Sequence, residues 1–97
     1  HSIIQYLREI HRKYGYFSLP VLWNGRLVAR LDPKADRKEK VFYVRNLVFE
    51  ARFKAFVRIA PKLADSIRDL AAFNACEKIV IEEMSPNTFK EQLGTEI

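Results

Sequence analysis

Cysteine, methionine and tryptophan each occur once in this 97-residue sequence, histidine twice and glycine three times. A single thiol, Cys76, leaves no internal disulfide, which favours a reducing, cytoplasmic setting. It has no ligand partner three or four residues away, His1 and His11 are remote, and no Cys-x-x-Cys is present, so neither a metal nor a cofactor is expected. Among Ala72, Phe73 and Ala75, Cys76 suits a small filler on the buried face of a helix. Gly15, Gly25 and Gly94 lie too far apart to build a phosphate-cradling loop, so nucleotide hydrolysis has nothing to rest on. No run of about 18 apolar residues appears, and the first residues lack the basic start and apolar core of a secretory leader, so no membrane partner is expected. Two carboxylate pairs, Asp65 with Asp69 and Glu82 with Glu83, have the ordinary explanation of solvated surface and give no acid/base couple.

What is present suits one folded domain covering residues 1–97. Hydrophobic residues make up 48% and aromatics 12%, enough for a single core in a chain this short. The net charge of +5 is unevenly placed: residues 1–62 hold fourteen Lys/Arg against five Asp/Glu, whereas residues 63–97 hold three against seven. A positive first two thirds is what a phosphate-facing surface needs.

The spacing of Ile3, Ile4, Leu7, Ile10 and Tyr14 predicts an amphipathic helix ended by Gly15. Pro20 lacks a backbone donor and fits a strand start or an edge. Asn24-Gly25 predicts a type I′ hairpin, since both central residues of that turn need positive φ. Its register sets Trp23 opposite Arg26, Leu22 opposite Leu27, Val21 opposite Val28 and Leu19 opposite Arg30. Arg26 and Arg30 then share a face, with Arg26 able to lie over the Trp23 ring. "LDPKADRKEK" reads as a wet loop opened by Asp32-Pro33. "VFYVRNLVFE" reads as a central strand covered on both faces. Phe53, Phe56, Val57, Ala60, Leu63, Ala64, Ile67, Leu70 and Ala71 trace a helical stripe whose main helix is expected to begin near Pro61. Lys78 to Met84 reads as a further strand, followed by a short helix capped by Ser85 with Pro86 at its first position. The fold class expected is α+β: an N-terminal helix, an antiparallel sheet of about four strands with an Asn-Gly hairpin, and one long packed helix.

The chemistry concentrates in Arg26, Arg30, Lys34, Arg37, Lys38 and Lys40, with Tyr16, Phe17, Trp23 and Tyr43 nearby in the chain. Two readings stand. The charges solubilise a turn, or they grip a phosphate backbone, to which Lys and Arg give affinity independent of base sequence.

"YGYFSLPVLWNGRLVARLDPKADR", residues 14–37, resembles the signature near the C-terminus of the winged-helix DNA glycosylases typified by AlkZ and YcaQ. Tyr16, Leu19, Pro20, Leu27, Val28, Arg30, Asp32, Lys34, Asp36 and Arg37 stand in the order of that signature, with Ala29 where many members have glycine. The resemblance implies a C-terminal-type domain of a longer protein that acts in base-excision repair of alkylated or crosslinked DNA. It also implies double-stranded DNA and upstream winged-helix units as partners. The family's Gln-x-Gln or Gln-x-Asp catalytic motif lies upstream of the signature, and neither Gln5 nor Gln92 begins one, so this stretch is not expected to excise bases alone. The six basic residues are therefore the candidate DNA contacts, and Tyr16, Pro20, Asn24, Gly25, Asp32 and Asp36 the structural signature. An alternative is that Arg30, Asp32, Lys34, Asp36 and Arg37 brace the domain against its neighbours through ion pairs, without touching nucleic acid.

Overall fold

A computed structural model describes residues 18–97, and the expected N-terminal helix, together with Tyr16, lies outside that range. Four strands form one sheet in the order β1 (Leu19–Trp23), β2 (Arg26–Asp36), β3 (Val41–Phe49) and β4 (Lys78–Ser85). The first three run antiparallel, but β4 runs parallel to β3, so the sheet is mixed rather than antiparallel. The cause is the connection: α1 (Phe56–Phe73) carries the chain back to the starting end of β3, and a parallel neighbour requires such a crossover. A second helix, α2 (Thr88–Glu96), follows β4.

β1 and β2 join at Asn24-Gly25, whose φ values are 52° and 75°. Leu22 pairs with Leu27 and Trp23 with Arg26, and beyond them the expected register fails. Val21 pairs with Ala29, Pro20 with Arg30 and Leu19 with Leu31, leaving Val28 as an extra, bulged residue whose carbonyl accepts from the Glu50 amide at 2.8 Å. A bulge reverses the alternation of side chains along its strand. Arg26, opposite core-packed Trp23, therefore sits on the other face from Arg30.

The expected loop at Asp32-Pro33 is strand, since β2 continues to Asp36. Asp32 pairs with Asn46 but Pro33 with Val44, so Arg45 is an extra residue on β3. The proline, which has no amide to give, falls where the ladder is already interrupted.

Only one face of β3 is covered. Phe42, Val44, Leu47 and Phe49 are buried, while Arg45 and Val48 are exposed. The covered face meets α1, whose Ile59, Ala60, Leu63, Ala64, Ile67 and Leu70 are fully buried. Burying each large aliphatic side chain contributes about 1.5 to 3 kcal/mol. Phe53 is buried ahead of the helix, and Val57 is 75% exposed, so the stripe turns inward through Ile59 instead. α1 also starts five residues before Pro61, which lies exposed on its solvent side, where water can replace the missing amide. Burial of Ile59 and Ala60 sustains the helix ahead of the proline. Phe49, Phe53, Phe56 and Phe89 pack ring to ring at 4.9 to 5.3 Å between centroids, tying the end of β3 to both helices. Ser85 ends β4 instead of capping a helix; α2 begins after Asn87 and buries Phe89 and Leu93, one turn apart.

Candidate nucleic-acid interface

The uncovered face of the sheet presents β2 residues 30, 32, 34 and 36, because Leu31 and Pro33 between them are buried. Across the strands these four meet Val48, Asn46, Tyr43 and Val41 of β3. The sign of charge along β2 alternates: Arg30, Asp32, Lys34, Asp36. Beside them, Arg45 Nε lies 3.4 Å from the Glu82 carboxylate on β4. At the hairpin end the same face turns apolar, with Leu22 paired to a 59% exposed Leu27, then Pro20 on the edge strand and a 40% exposed Val48. Two shallow hollows of about 460 and 300 Å³ share Lys34 and Arg45 in their walls; both open broadly to solvent, unlike the enclosed clefts that bury a small ligand.

The six basic residues singled out from the sequence do not gather into one surface. Arg30 and Lys34 lie on the open face, interleaved with Asp32 and Asp36. Arg26 points from the hairpin end toward the helix side. Arg37, Lys38 and Lys40 belong to the β2–β3 turn, and two of them have partners within the domain. Arg37 Nη2 donates to the Asn74 side-chain oxygen at 3.0 Å, and Asn74, 1% exposed, donates onward to the Leu70 carbonyl at 2.8 Å. Lys40, held at φ 60°, accepts from the Glu77 and Lys78 amides through its carbonyl and lies 3.7 Å from the Glu77 carboxylate. Of the structural signature, Asn24 and Gly25 make the turn between β1 and β2. Asp36 accepts from the Glu39 amide at 3.0 Å, which closes the start of the second turn.

Cys76 lies just past α1 rather than on its buried face, 7% exposed, with its thiol 3.6 Å from the Asn74 carbonyl. Burial pushes this thiol above its ordinary pKa; the Arg37 guanidinium pulls against the rise and Asp36 adds to it. Among the described residues no cluster of His, Cys, Asp or Glu could hold a metal ion, and no helix is long and apolar enough to cross a membrane.

A second basic group was not singled out from the sequence. Arg58 and Lys62 are exposed one turn apart on α1, and Lys62 Nζ sits 5.5 Å from the centre of the Trp23 ring, in the place expected for Arg26. Helical spacing alone places the two cations together; what brings Trp23 to them is the packing of β1 under α1, which has no local signature. Asn74 was missed for the same reason, since its partner is 37 residues away.

A family model described as DNA glycosylase AlkZ-like matches residues 2–73, taking in the hairpin, all of β2 and β3, and α1. No solved structure matches the chain.

Proposed function

Since the chain belongs to the AlkZ-like DNA glycosylase family, we propose that it serves as a non-catalytic accessory domain of a DNA-repair glycosylase, with its open sheet face docked against another unit of the same enzyme. The observation that supports this reading is the alternation Arg30, Asp32, Lys34, Asp36 on one face, continued by exposed Leu27 and Val48. A duplex presents one sign of charge. A phosphate about 5 Å from Asp32 or Asp36 would be repelled by roughly 0.8 kcal/mol in water, as much as it gains from Lys34 at the same distance. A protein surface can match both signs in register and cover the apolar end, which is how charged groups fix specificity at interfaces. Upstream winged-helix units are the natural occupant in a glycosylase of this kind.

The test exchanges the charges without changing their sum. Asp32→Lys combined with Lys34→Glu keeps the net charge, hence the long-range attraction to DNA, but breaks any complementary docking. In the intact glycosylase, wild-type β2 and β3 amides should exchange slowly with solvent and the swapped variant should lose that protection. If the swap leaves exchange and melting of the intact enzyme unchanged, docking through this face is wrong.

A further inference from the structure

We propose that the surface of this domain that meets the DNA backbone is the hairpin end of the helix side, where Lys62 lies over Trp23, Arg58 stands one turn earlier on α1 and Arg26 pairs with Trp23 across the hairpin. The proposal rests on the reading of the chain as part of a DNA glycosylase, but not on how the open face is used. Three observations carry it. First, these cations are unneutralised: among the described residues, none of Arg26, Arg58 and Lys62 lies within ion-pair distance of a carboxylate, in contrast to Arg45 and Lys40. The next acid along α1, Asp65, is taken by Arg68, which also donates to the Glu96 carbonyl at 2.7 Å. Second, the first turn of α1 contains no acidic residue, so its free amide ends add positive potential to the same edge. Third, Lys62 is held over the Trp23 ring, and exposed Arg52 and Lys54 lead into the same end of the helix. Cations predominate on this edge, where the Glu50 carboxylate accepts from the Arg52 amide at 3.2 Å, whereas on the open face cations and acids alternate one for one; an excess of positive charge is what a uniformly negative strand requires. Side chains of this kind contact phosphates and carry no base preference.

Trp23 is the only tryptophan in the sequence, so its fluorescence reports on this surface directly. The experiment titrates the 97-residue chain with a labelled duplex of arbitrary sequence at roughly 50 and 200 mM salt and follows both anisotropy and Trp23 emission. Arg58→Gln with Lys62→Gln should remove two phosphate contacts and shrink the loss of affinity between the two salts by about tenfold, since each contact contributes about 0.9 to the slope. The control pair, Arg30→Gln with Lys34→Gln, should leave the slope in place, and duplex binding should shift Trp23 emission in the wild type. Circular dichroism melts check folding, and Lys62→Arg, which keeps a cation over the ring, should bind like the wild type. Absence of duplex binding, an unmoved Trp23 emission at saturation, or a slope that depends on the control pair instead would each overturn the assignment. An intact salt response alongside a failed charge-swap experiment would fault the docked open face alone.

Discussion

Arg37 stands in a run of charges that reads as solvated, yet its removal should unfold the domain early. Its guanidinium donates to Asn74, a side chain only 1% exposed that closes the end of α1 by donating to the Leu70 carbonyl. The bond therefore fastens the β2–β3 turn to the helix terminus across 37 residues. A hydrogen bond to a charged group contributes about 1.5 to 3 kcal/mol when sheltered, and the exposure of Arg37 itself brings the expected loss for Arg37→Ala to about 1 to 1.5 kcal/mol. For a domain of this size that lowers the melting temperature by roughly 4 to 12 °C. Lys38→Ala, the adjacent exposed cation, should stay within about 0.5 kcal/mol of the wild type. Arg37→Lys keeps the charge but not the planar fork and should recover only part of the loss. Thermal melts by circular dichroism measure all three, and a double-mutant cycle with Asn74→Ala should show coupling of at least about 0.5 kcal/mol. Arg37→Ala and Lys38→Ala melting alike would refute the brace and return Arg37 to the surface charges.

The contrast between these neighbouring cations shows where sequence reading stops. Elements governed by spacing were legible: the stripe from Ala60 to Ala71, the strand from Lys78, and the hydrophobic run that becomes β3 all follow from periods of 3.6 and 2. What was not legible depends on partners distant in the chain. The bulge at Val28 is set by the Glu50 amide, which takes the Val28 carbonyl, and it moves Arg26 off the face of Arg30. β2 runs through Pro33 because β3 carries its extra residue, Arg45, at the same point. Val57 fits the helical stripe by number but falls outside it because Ile59 and the phenylalanine cluster decide how α1 is rotated. The candidate site shares this limit. Residue types in the Leu19–Lys38 stretch signalled phosphate chemistry, but the cation held over the tryptophan ring is Lys62 on α1, and only the folded arrangement separates Arg30 and Lys34, interleaved with acids on the open face, from Arg58 and Lys62.

Two further perturbations probe the segment after α1. The Cys76 thiol, raised by burial, holds its proton more tightly in the folded chain than in the unfolded one. Its contribution to stability is therefore complete below the unfolded thiol's pKa, about 8.5, and is lost as pH rises through the higher folded value. Cys76→Ala should flatten that alkaline decline in urea-unfolding free energy, and an equally steep decline in the variant would assign it to other groups. Ala75→Gly should stabilise the domain. Ala75 has φ 58°, and its amide donates to the Ala72 carbonyl at 3.0 Å while the Cys76 amide donates to the Ala71 carbonyl at 2.8 Å, the paired bonds of a helix end that glycine usually completes. An alanine in this left-handed region carries about 1 to 2 kcal/mol of strain from its Cβ. Glycine removes the strain but adds freedom to the unfolded chain, which takes back roughly 0.5 to 1 kcal/mol. The net gain expected is about 0 to 1.5 kcal/mol, centred on ~0.75, or up to roughly 12 °C in the melting temperature. A lowered melting temperature would show that the unfolded-state entropy outweighs the strain, and with it that the α1 terminus tolerates alanine at positive φ at little cost.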